Sequence, residues 1–128
     1  MNNKIFSAAA FFGMTAIIFG AFGAHALKKV LSPEHLISFE TAVKYQMYHA
    51  LFLLFLGLQN QLNEKSKKLI YYFVVLGVIL FSGSIYLLST GSISGINFKP
   101  FGFVTPIGGV FLILSWGVLF WNYLFKKS

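Results

Sequence analysis

Leu69 to Ser89 reads LIYYFVVLGVILFSGSIYLLS, twenty-one consecutive residues without Asp, Glu, Lys or Arg. Ile5 to Leu27 is equally free of charge. Each stretch reaches the roughly 20 residues that cross about 30 Å of hydrocarbon, and neither leaves the polar face that a helix on a soluble domain keeps toward water. Two further helical segments read from the residues around them. Ser32 followed by Pro33 is an N-cap and first-turn pair, so a second helix starts there. It opens amphipathic, with Glu34, His35, Glu40 and Lys44, and becomes fully apolar from Ala50 to Leu58 before Gln59-Asn60-Gln61. A last apolar run extends from Val104 to Phe125 and stops at Lys126-Lys127. The expected helices are therefore about 5–27, 33–61, 68–90 and 104–125. They form a single all-α transmembrane domain, an antiparallel four-helix bundle with a short amphipathic segment leading into the second helix. A Gly/Ser/Pro-containing connection, Gly91 to Phe103, joins the last two.

Composition agrees with that reading. Of 128 residues, 57% are hydrophobic and 10% charged, and the mean hydropathy is +0.76, too apolar for a soluble core of this size. The net charge of +7 comes from lysines without any arginine, gathered in the tails and connections. That is a topology pattern, so nucleic acid is not an expected partner. For four spans, six lysines fall on the side of the two termini and four on the other, which favours both termini inside the cell. Trp116, Trp121 and Tyr123 fit an interfacial aromatic belt on that side. Lys4, the apolar run after it and Ala24-His25-Ala26 imitate a secretory signal, but the run exceeds the usual 7 to 15 residues, and we read it as the first membrane helix. The absence of cysteine excludes disulfides, thiolate metal sites and a cysteine nucleophile.

Polar residues inside the spans are few and costly unless paired, so they mark where to look for a site. Tyr45, Gln46 and His49 share one face of the second helix at 100° per residue. His25 near the exit of the first helix, Ser82, Ser84 and Tyr86 late in the third, and Thr105 at the start of the fourth are expected to gather with them near the membrane face opposite the termini. These eight residues are the candidate ligand site. The bland alternative is an internal hydrogen-bond network that fixes the bundle. Gly13, Gly20, Ala24, Gly83 and Gly109 are expected at close helix contacts, where small side chains let backbones approach. Two histidines on adjacent helices could serve as axial haem ligands, but the neighbouring phenol and amide suit hydrogen bonding as well, and neither haem nor another cofactor is expected. No third or fourth metal ligand is evident, and there is no nucleophile elbow, phosphate loop or paired intramembrane carboxylate, so neither a metal site nor catalytic residues are expected.

Four motifs occur in order: Gly20-Ala21-Phe22-Gly23-Ala24-His25; Phe39 with Ala42, Val43, Tyr45, Gln46, Tyr48, His49, Ala50 and Leu51; Leu80 through Tyr86; and Thr105-Pro106-Ile107-Gly108-Gly109. Together they resemble the YgdD/YwdK family of small membrane proteins, classed as domain of unknown function 423. The resemblance spans nearly the whole chain and implies a compact, multi-pass protein of the bacterial inner membrane, with no reaction to carry over. His25, Phe39, Tyr45, Gln46, His49, Ser82, Gly83, Pro106 and Gly109 fall on the family pattern, and none inherits a role. The connection from Ser92 to Phe103 departs from it in being longer and more aromatic. Two functions follow as expectations. One is an accessory or assembly protein that works with a larger membrane complex or as a homo-oligomer; the alternative is a carrier of a small amphipathic ligand or protons through the His/Tyr/Gln cluster. A membrane enzyme is the least favoured reading.

Overall fold

The computed structural model describes residues 2–126; Lys127, counted above with the C-terminal lysines, lies outside them. The described chain is all helical. Four long helices, α1 (Asn2–His25), α2 (Pro33–Leu58), α3 (Glu64–Ser89) and α5 (Val104–Leu124), are accompanied by a single turn of helix, α4 (Gly91–Ser94), and by 3₁₀ turns at Leu27–Lys29 and Lys99–Phe101. The Gly91–Phe103 connection is thus more ordered than its composition suggests. Its one left-handed residue is Gly95, at φ 76°, where the absence of a side chain lets the chain leave α4.

Local chemistry sets the helix ends. The Ser32 hydroxyl accepts the His35 amide at 3.2 Å, with Pro33 in the first turn of α2. Asn63 Oδ1 accepts the Ser66 amide at 2.8 Å, so α3 begins at Glu64, one turn before its apolar stretch. At the other end of the same turn, α2 stops at Leu58, short of Gln61. Its final carbonyls take up Lys67, which is only 2% exposed and donates to Gln59 O at 2.7 Å and to Gly57 O at 3.5 Å. A cation at a helix C-terminus suits both the unpaired carbonyls and the macrodipole.

Side-chain contacts give the order of the helices. Along α1 and α2, Phe6 lies at Gly57, Gly13 near Ala50, Gly20 near Val43 and Gly23 near Phe39, so rising numbers on one helix meet falling numbers on the other. Between α3 and α5 the same holds for Gly77 against Leu112 and Gly108 against Leu80 and Phe81. Helices α2 and α3 occupy the middle and each touches both outer helices. The core is Ile5, Phe12, Leu53, Leu56, Ile70, Val74, Val78 and Leu112, and a smaller cluster of Leu27, Leu31 and Phe39 closes the α1–α2 turn.

The outside is apolar as well. Ile17 is 65% exposed and Ile113 70%, with Phe11, Phe22, Phe120 and Trp121 also outward. In water such faces would drive aggregation; hydrocarbon is their solvent. Three stretches are long and apolar enough to cross a membrane: Asn2–Lys29, Glu64–Ser89 and Lys99–Leu124. Helix α2, the fourth expected span, is not among them, because its apolar run is confined to residues 50–58, after Lys44, Tyr45, Gln46, Tyr48 and His49. A helix covered by its neighbours can carry polar groups that a lipid-facing one cannot.

Candidate functional site

Gln46 is the centre of the buried polar residues. It is 4% exposed on α2, between α1 and α3. Its amide nitrogen donates to Phe12 O at 2.9 Å and to Thr15 Oγ1 at 2.6 Å, and its carbonyl accepts the Tyr86 hydroxyl at 2.6 Å. One side chain therefore ties three helices together. The Tyr86 ring is itself wedged between Phe19 and Phe39, with centroids 4.9 and 5.0 Å away, which aims its hydroxyl at Gln46. One turn toward the start of α2, Ser82 Oγ donates to Ala42 O at 2.8 Å.

His49, also 4% exposed, is held at both nitrogens. Nδ1 lies 2.7 Å from Tyr45 O, and Nε2 is 3.1 Å from the Trp116 indole nitrogen. An indole N–H can only donate, so Nε2 accepts, Nδ1 carries the proton, and the ring is the neutral Nδ1–H tautomer. Trp116 also packs edge-on against Phe52 at 4.1 Å. The residue read as part of the aromatic belt is thus a partner of the buried histidine, and nothing in the sequence pairs the two before α5 is placed beside α2. Thr15 is the other participant missed by the sequence reading; a lone hydroxyl in an apolar run was its only signal.

The eight candidate residues do not form one cluster. Gln46 and Tyr86 are bonded to each other, while His49 and Ser82 lie in the middle of the fold with separate bonds to Trp116 and to the Ala42 carbonyl. Ser84 and Thr105 share a separate hydrogen bond of 2.5 Å between α3 and α5. Tyr45 is 41% exposed and packs at a tilt against Tyr48 and Phe81. His25 is exposed at the end of α1. The expected meeting of His25 with His49 does not occur. His49 adjoins Ala50, opposite Gly13, and His25 lies twelve residues further along α1, about 18 Å at 1.5 Å per residue. Counting turns from the connection overestimated how near His49 lies to the start of α2, which is prolonged by its amphipathic lead-in.

Packing residues are corrected in the same way. Gly13, Gly20 and Gly109 make ordinary contacts, Ala24 is exposed, and a Cβ on Gly83 would meet nothing within 4 Å. The tight crossings are elsewhere: a Cβ on Gly77 would lie 2.5 Å from Leu112 Cδ2, and one on Gly108 would lie 2.7 Å from the Leu80 carbonyl carbon.

Among the described residues, no buried side-chain nitrogen or oxygen lacks a hydrogen-bond partner, and no three His, Asp or Glu side chains group as metal ligands. Long helices with lipophilic outer faces, and polar groups turned inward on one another, define a helical membrane protein. The chain belongs to the family described as "Protein of unknown function (DUF423)", whose profile matches residues 19–109. It is 39% identical over 106 residues to a UPF0382 membrane protein of Staphylococcus saprophyticus, covering 83% of this chain and 84% of that one. To a UPF0382 membrane protein of Haemophilus influenzae it is 31% identical over 128 residues, covering all of this chain and 99% of the other. To the UPF0382 inner membrane protein YgdD of Escherichia coli K12 it is 33% identical over 114 residues, 87% of this chain and 82% of that protein. No solved structure matches the chain.

Proposed function

We propose that this protein is a four-pass, antiparallel helical bundle of the bacterial inner membrane, with both termini cytoplasmic, that acts as an accessory or assembly protein of a larger membrane complex. The observation that carries this reading is the closure of the buried polar groups: Gln46, Tyr86 and His49 direct their hydrogen bonds at other parts of the same chain. Groups consumed in this way fix helix positions and leave little for exchange with a ligand. What remains available is the outer surface, where Gly117 on α5 and Ala21 and Ala24 on α1 are exposed among large apolar side chains and would allow another helix to come close. The inner-membrane location is supported by the name of the Escherichia coli relative and by the three long apolar helices.

Purification from native membranes in mild detergent, followed by native mass spectrometry, tests the reading. A complex of defined stoichiometry with a protein partner or with further copies of the chain is the expected result. Monomeric protein carrying a small molecule that disappears in His49→Ala would reject it in favour of the carrier reading. Monomer with nothing bound would reject it outright.

A further inference from the structure

We propose that the end of the molecule formed by the start of α2, the end of α3 and the connection before α5 binds an anionic phospholipid. An open cleft of about 480 Å³ lies there, lined by the polar residues His35, Ser38, Lys99 and Thr105 and by the apolar Ile85 and Leu88. Beside it runs an apolar groove of about 660 Å³, between α3 and the connection, with Ile79, Leu80, Gly83, Leu87, Phe98 and Phe101 in its walls. Leu88 lines both, so the two spaces adjoin. One presents a cation, an imidazole and the Ser38 hydroxyl, with the Thr41, Ser89 and Thr105 hydroxyls bonded within the chain; the other takes hydrocarbon. That sequence of surfaces fits a phosphate-bearing head group followed by an acyl chain.

The electrostatics favour an anionic head group. No carboxylate lines either space, and Lys99 and His35 also border a second cavity of about 350 Å³ under the Gly95–Phe98 turn. Ile93, Ile96, Phe101 and Phe103 in the connection are exposed, which sets this segment at the hydrocarbon boundary and Lys99 at head-group level. Basic pockets beside membrane helices select anionic head groups for this reason. The tail groove has a distinct origin. A Cβ on Gly83 would touch nothing, so this glycine, on the outer side of α3, leaves room that any larger side chain would fill. Tyr86, whose hydroxyl is bonded to Gln46, also borders the tail groove.

The experiment is a lipid titration of the delipidated full chain in detergent, read by native mass spectrometry. The probes are dioleoylphosphatidylglycerol, dioleoylphosphatidylcholine and glycerol 3-phosphate. Phosphatidylglycerol is expected to bind about tenfold more tightly than phosphatidylcholine, the scale of one charge-assisted contact. Lys99→Gln with His35→Gln should erase that preference, while Lys65→Gln with Lys68→Gln, at the opposite end, should leave it intact. Gly83→Leu should weaken both lipids without lowering the thermal midpoint. Equal binding of the two lipids, a preference that survives the Lys99/His35 change or falls equally with the Lys65/Lys68 change, or unaltered binding to Gly83→Leu would each overturn the proposal. So would glycerol 3-phosphate binding as tightly as phosphatidylglycerol, since the groove would then be idle.

Discussion

Gln46 shows how a single side chain can be both expensive and necessary. An amide in an apolar interior is unfavourable unless its donors and acceptor are used, and here they reach α1 and α3 together. Interhelical hydrogen bonds in membranes contribute less than their isolation suggests, about 0.6 kcal/mol on average and about 1.7 at most. Gln46→Leu, which also deprives Tyr86 and Thr15 of their partner, is therefore expected to lower stability by about 1 to 2 kcal/mol. Tyr86→Phe, which removes one bond, should lose about half as much. Because both act on one network, the double variant should be scarcely weaker than Gln46→Leu alone. Reversible unfolding in mixed micelles measures all three, and strictly additive losses would contradict the shared network. The sequence makes Gln46 and Tyr86 conspicuous, since each is a polar group in an apolar stretch. It cannot disclose the carbonyl of Phe12 as the partner of Gln46 or the indole of Trp116 as the partner of His49, 34 and 67 positions away.

At the scale of the element, glycine spacing has two meanings that look alike in one dimension. Gly108 lies where α5 crosses α3, and a Cβ there would press on the Leu80 and Phe81 backbone, which cannot swing aside. Gly83, twenty-five positions earlier, borders open space. Gly108→Ala is expected to destabilise by about 1 to 3 kcal/mol through overpacking. Gly83→Ala should be neutral or should stabilise by about 0.5 to 1 kcal/mol, because alanine restricts the unfolded chain and favours helix. Thermal melts of the two variants in one detergent decide the matter, and a reversed order would mean that α3 and α5 cross elsewhere. Motif spacing singled out Gly109 in place of Gly108 because adjacent residues on a helix differ by 100° in direction, and only the crossing determines which of them faces the neighbour.

For the whole molecule, the proposed four crossings put the α2–α3 turn and the α3–α5 connection on opposite sides of the membrane. The chain contains no cysteine, so single thiols can be introduced without background. In intact cells a membrane-impermeant maleimide is expected to label Ser94→Cys and to spare Lys65→Cys until the membrane is opened. The inverse pattern would reverse the orientation inferred from the lysine count. Labelling of both from outside would remove α2 or α3 from the spanning set.

That the chain is helical, that most of its surface must face hydrocarbon, and which family it belongs to were all legible in the sequence. Those properties follow from uninterrupted apolar runs, the caps at the connections and motifs that are local in the chain. Tertiary structure decided which polar groups meet, because pairing depends on the relative depth and rotation of helices. That is why His49 is joined to Trp116 and parted from His25, why Lys67 is buried as a cap on α2, and why Gly77 and Gly108, and not Gly83, mark the close crossings of α3 and α5.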